Sequence, residues 1–131
     1  MNPLYAALSG VLLLSLASCA PERIGEAAGQ LSEARARAVN TAAQAYIRQC
    51  MVGIEVKKVE SGGKNYAFLP ETSSCADGVL GQTALPGSEN VARSEIVPNA
   101  DKTGYVLTVE AVSGKTYRHD SLAGPGIEEV Q

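Results

Sequence analysis

Between Pro21 and about Val52 the apolar positions fall three and four residues apart. Ile24, Ala28, Leu31, Ala34, Ala38, Ala42, Tyr46 and Cys50 therefore share one face of a single long helix. Pro21 suits the first turn, where its missing N–H costs nothing. Glu22 and Glu26 suit the positive end of the helix dipole, and Arg48 the other end. Glu33 and Arg37 form a favourable i,i+4 pair. Gly25 and Gly29 each weaken a helix by about 1 kcal/mol. The first turns are therefore expected to fray, with the firm helix starting near Leu31. The stripe is mostly alanine, so each residue buries little area. Such a helix needs a broad apolar partner, and only the C-terminal half of the chain can supply one.

That half changes period. Gly53 to Val59 reads as a short extended segment or a further helical turn, Ser61 to Lys64 as a turn, and Asn65 to Leu69 as a strand stopped by Pro70. Residues 71–90 are rich in Gly, Ser, Pro and Thr and read as irregular loop. Val91 to Val97 reads as an edge strand ended by Pro98. The best hairpin joins Tyr105–Val112 to Lys115–Asp120 through Ser113-Gly114. Tyr105, Leu107, Val109 and Ala111 alternate and face the helix. A two-residue turn sets Ala111 opposite Thr116, Val109 opposite Arg118 and Leu107 opposite Asp120. That inward face of the second strand is polar, so a bulge or longer loop would shift the register. Residues 123–131 read as a frayed tail. The fold class is α+β: one long N-terminal helix on a small antiparallel sheet.

The chain opens on an uncharged run, Leu4 to Ala17, of 14 residues. That is short of the roughly 20 a transmembrane helix needs, and it has the length of a signal-peptide core. Met1-Asn2-Pro3 ahead of it carries no Lys or Arg. The run ends in Leu16-Ala17-Ser18-Cys19, which resembles the lipobox of bacterial lipoproteins. The resemblance implies lipid on the Cys19 thiol and cleavage after Ser18. It implies a location in the bacterial envelope, on the periplasmic or cell-surface side, held to the membrane by acyl chains. An ordinary secretory signal cut nearby, with Cys19 incidental, is the other reading. The expected organisation is a signal peptide at 1–18, a lipid-anchored tether at 19–30, a domain at 31–122 and the tail.

With Cys19 set aside for lipid, Cys50 and Cys75 remain as a pair. Outside the cytoplasm they are expected to form a disulfide. The spacing is neither CxxC nor a zinc pattern, and the one histidine cannot complete a cluster. A net charge of −3 with scattered basic residues offers no footprint for nucleic acid. No cofactor or metal is expected.

Little in the chain carries chemistry. Arg118-His119-Asp120-Ser121 contains residue types found in hydrolases, but strand neighbours point to opposite faces. On the stated register His119 lies on the outer face opposite Thr108, as a solvated or cross-strand-bonded side chain. No nucleophile elbow is present. Asn99, Asp101 and Thr103 alternate in a turn, where a calcium loop would require more ligands. Tyr66, Tyr105 and Tyr117 form either an exposed aromatic patch for a partner or the core of a tryptophan-free domain. Tyr66, Tyr117 and His119 are the candidate partner surface.

Gly104 to Val109, followed by Ser113 to Tyr117 and Asp120-Ser121, resembles the terminal hairpin of type IV pilin-like proteins. Ala34 to Tyr46 is similar to the second half of their spine helix. One departure matters. Pilins keep a hydrophobic helix half after cleavage and polymerise through it, whereas Cys19-Ala20-Pro21-Glu22-Arg23 is polar and no prepilin cleavage motif is present. The resemblance implies a non-enzymatic, lipid-tethered, pilin-like head that meets an envelope protein of a pilus, secretion or competence apparatus. An alanine coiled-coil structural lipoprotein is the second reading, and an exported small-ligand binder or enzyme the third.

Overall fold

A long helix, α1, occupies Pro21–Glu60, in a computed structural model that describes residues 21–80 and 85–131. The leader and Cys19 lie outside the described residues. The chain divides into two compact units, 1–34 and 35–131. In the first, the described residues are helical, and 27–34 are exposed. The second holds a four-stranded antiparallel sheet in the order β1-β2-β3-β4, made of β1 Val91–Pro98, β2 Tyr105–Ala111, β3 Thr116–Asp120 and β4 Glu128–Val130. The fold class is the α+β arrangement expected. No helix among the described residues is long and apolar enough to cross a membrane.

α1 outruns the expected end near Val52 by two turns. Ile54 is fully buried there, so the inward face simply continues from Cys50. The helix stops in a Schellman arrangement: Gly63 N–H donates to the Lys58 carbonyl at 2.8 Å and Gly62 N–H to Val59 at 3.1 Å. Gly62 has φ 107°, which only glycine adopts without strain. Lys57 and Lys58 in the last turn suit the negative end of the dipole.

The buried face of α1 is not the expected stripe. Ala28, Leu31, Ala34 and Ala38 are exposed, and of the members of that series whose burial is described only Tyr46 and Cys50 are fully inside. The inward face is instead Val39, Ala43, Tyr46, Ile47, Cys50 and Ile54. Ile47 and Ile54 remove far more apolar area from water than alanine does, so they set the rotation of the helix. Opposite them lie Ile96, Leu107 and Val109.

The hairpin register moves by one residue. Leu107 pairs with His119, Val109 with Tyr117 and Thr108 with Arg118. The loop has three residues rather than two: Gly114 N–H donates to Ala111 at 2.9 Å, and Gly114 sits at φ 92°. This shift puts Tyr117 and His119 inside and leaves Arg118 and Asp120 on the outer face. Ser113 at the loop tip donates to the Asn40 carboxamide of α1.

Two further expectations are corrected. Asn65–Leu69 is a turn, not a strand; Leu69 N–H donates to Tyr66 at 3.0 Å. Its two buried side chains, Tyr66 and Leu69, are three apart, whereas a strand buries alternate residues. The tail is not frayed. Its last residues form β4 beside β3, pinned by Lys115 Nζ donating to Glu129 Oε1 at 2.6 Å.

Cys50 and Cys75 are joined by a disulfide that ties α1 to the loop after it. Ser73 exchanges two backbone hydrogen bonds with Ile96 of β1, and Cys75 N–H donates to Ser94 Oγ at 3.0 Å. The loop is thus held at three neighbouring points.

Candidate partner-facing surfaces

The side chains expected to face a partner are inside. Tyr66 and His119 are 4% exposed and Tyr117 is 2% exposed. The chain has no tryptophan and one phenylalanine, so its tyrosines are the large side chains that fill the core. Tyr66 packs edge-on against Tyr105 at 4.9 Å between ring centroids. Its hydroxyl donates to Glu55 Oε1 at 2.6 Å, and the Lys58 ammonium lies 4.4 Å above the ring. The last turns of α1 therefore clamp the 65–69 turn from both sides. The sequence hides this clamp because Glu55 and Lys58 read as ordinary solvated helix charges.

Burial, then the hydrogen bond to Glu55, pushes the Tyr66 phenol above its ordinary value. Burial, then the Glu55 charge, does the same to Tyr105. A raised folded value means that the stabilisation is complete below the unfolded phenol pKa of about 10 and is lost as pH rises through the folded values. Melting temperature is expected to fall with pH above about 10. Tyr66→Phe should flatten that fall; identical alkaline slopes in the two proteins would contradict the clamp.

The Arg118 to Ser121 run does not converge on a catalytic arrangement. His119 points inward, and its Nδ1–H donates to the Gly126 carbonyl at 2.9 Å. Arg118 meets Asp120 at 3.3 Å on the outer face. Ser121 Oγ accepts the Tyr105 N–H at 2.8 Å. In the 99–104 turn Asn99 Oδ1 accepts the Gly104 N–H, and Asp101 Oδ1 accepts both the Thr103 hydroxyl and N–H. These are turn bonds, and they use the oxygens a cation would need. The Thr103 hydroxyl first, and its N–H second, hold Asp101 below the usual carboxylate range. Its contribution is present above about pH 3.9 and is lost as pH falls through the lowered folded value. Asp101→Asn should melt below the parent at neutral pH, with the gap narrowing as pH falls below about 3.9.

Three surfaces remain. The outer sheet face is mixed in charge, with Arg93 and Glu110 paired at 3.6 Å. The outward side of α1 exposes Leu31, Val52, Val56 and Val59. Val52, Val56 and Val59 stand at three–four spacing, a second stripe readable in the sequence beside the one expected. The third is a cavity of about 260 Å³ between α1 and the residues leading into β4.

The Pilin A4 family matches residues 39–124. The chain belongs to the Pilin A4 family. The match begins at Val39, where α1 first becomes half-buried, and stops before β4. The domain also resembles the structure of the TTHA1221 type IV pilin protein from Thermus thermophilus. The TM-score is 0.53 and the identity 23%, covering 70% of this chain and 98% of that one. No curated protein matches the chain. The Pilin A4 fold here thus comprises the C-terminal part of α1, the disulfide loop and the meander of β1 to β3.

Proposed function

We propose that this Pilin A4 family member is a lipid-anchored envelope protein that displays its head to a protein partner, as an accessory of a type IV pilus, secretion or competence system. One observation carries the reading: Leu16-Ala17-Ser18-Cys19 and the polar stretch after it precede a pilin-family domain that begins at Val39, where a polymerising pilin has a hydrophobic helix half. Residues 1–18 are removed, Cys19 takes two or three acyl chains, and residues 19–30 link the anchor to the head. Two or three chains hold a protein stably where one does not. The head acts by binding rather than by catalysis, through its outer sheet face or the Cys50–Cys75 loop.

The intact mass of protein extracted from membranes tests the anchor. The expected species begins at Cys19, carries two or three acyl chains and is two hydrogens lighter for the disulfide. A lipid-free mature chain would overturn the anchor. Crosslinking in cells tests the role; repeated failure to recover pilus, secretion or competence components would overturn it.

Exposed Val52, Val56 and Val59 favour a second reading, self-association along α1. Tyr46 and Cys50, part of the seam expected for an alanine coiled coil, are committed to the core of the head. Any seam must therefore be the opposite face. Sedimentation of the lipid-free chain separates the readings: a monomer supports display, an oligomer supports association.

A further inference from the structure

Segment 125–131 lies beyond the residues that the family match spans, and it is lightly held. Gly124, at φ 130°, Pro125 and Gly126 link it to the rest of the head. All three residues of β4 are exposed. They pair with Thr116, Tyr117 and Arg118, so His119 and Asp120 of β3 have no partner in β4. Besides that ladder the segment is held by Lys115 on Glu129, by the His119 bond to the Gly126 carbonyl, and by half-buried Ile127. Towards α1 it packs loosely: the cavity of about 260 Å³ lies between Gln44 and Arg48 on one side and Pro125, Gly126 and Ile127 on the other. The edge beneath is ready for a strand. Ala111 N–H donates to the Lys115 carbonyl and Ser121 N–H to the Tyr105 carbonyl, so the odd-numbered residues of β3 bond with β2. Thr116, Arg118 and Asp120 therefore turn their backbone groups to the other side, where β4 lies.

We infer that segment 125–131 is a releasable strap, and that the β3 edge it covers takes an extended segment of the protein partner with an apolar residue two positions before a carboxylate. The inference rests on the display reading for its partner. The strap itself shows what the edge selects. Ile127 and Glu129 are two apart and fall on the same face, the first packing on the core and the second accepting from Lys115 at 2.6 Å. A strand added at an edge gains backbone hydrogen bonds and is sorted by its alternate side chains. A longer partner strand can pair along the whole of β3, which the Gly124-Pro125-Gly126 link denies to the strap. A second copy's strap offers only the same three pairs. It also competes with a strap already tethered at high effective concentration.

The test uses the full chain, labelled with ¹⁵N, and a blocked octapeptide, Ser-Thr-Val-Ile-Glu-Glu-Val-Gln, in which Ser-Thr-Val replaces the glycine-proline link. Amide exchange at Thr116 and Arg118 is expected to run faster than at Tyr117 and His119, because only the first two depend on the strap. The peptide should give saturable shifts along β3. Its counterpart with Lys for the second Glu should bind about fivefold more weakly. Glu129→Gln loosens the strap and leaves Lys115 for the peptide, so it should raise peptide affinity about threefold. Equal exchange at all four amides, or unchanged affinity in Glu129→Gln, overturns the strap. Equal binding of the two peptides overturns the carboxylate as the group selected. A Glu129→Gln dimer that the peptide dissolves would make a second copy the occupant and overturn the partner segment. Exchange and peptide binding are read on the isolated chain, independently of capture in cells, so failure of the strap and failure of the display reading are distinguishable.

Discussion

Replacing Cys50 and Cys75 together by alanine is expected to lower stability by about 3 kcal/mol, because the closed loop spans 25 residues. For a domain of this size that is a fall of roughly 12–24 °C in melting temperature. The loss should also be local. The loop keeps its Ser73–Ile96 pairing, the Cys75 N–H bond to Ser94, and the buried side chains of Leu80 and Leu85. None of these reaches across to α1 covalently. Amide exchange at Ser73 and Ile96 should therefore quicken before exchange at Leu107 or Val109 in the sheet centre. Both cysteines are wholly buried, so a reductant should act slowly on the native protein and quickly on the unfolded one. Free thiols in the native, unreduced protein would refute the crosslink outright.

Tyr117→Ala is expected to cost about 3–5 kcal/mol, the range for deleting a buried aromatic ring. Its neighbour Arg118→Ala should cost no more than about 1 kcal/mol, since it gives up a half-exposed pair with Asp120. The contrast reads the hairpin register directly. The two-residue turn would have placed Arg118 inside and Tyr117 outside, reversing the order of the two costs. Thermal or urea melts of the two variants decide it. A larger loss in Arg118→Ala would mean that β3 is turned over.

Why the register escaped the sequence is physical. Ser113-Gly114 fits a two-residue turn and also the last two positions of a three-residue turn with glycine left-handed. Local chemistry does not separate them. The inner face of β3 does: Tyr117 and His119 bury area, whereas Thr116, Arg118 and Asp120 would not. The polar inward face was the visible sign of the error. The stripe on α1 failed for a related reason. Two apolar series run along the helix, and periodicity alone counts alanine equally with isoleucine. The inward alternation of β2, the edge position of β1 and the Cys50–Cys75 pairing were legible, each resting on one strong local rule. β4 was not, because Glu128 and Glu129 lack any strand signal; the partner Lys115 supplies it from elsewhere in the chain. The cavity needs residues from α1, β3 and β4 at once, and no local pattern announces it.

The two sheet margins have a consequence for life in a crowd. An open strand edge invites a copy to zip onto it. β1 is bulged near Ala92, engaged by Ser73 at Ile96 and ended by Pro98. β4 is three residues long and carries two carboxylates. Neither margin offers a long, clean template. Many such heads can crowd together without fusing their sheets, and their contacts are left to side chains rather than to backbone.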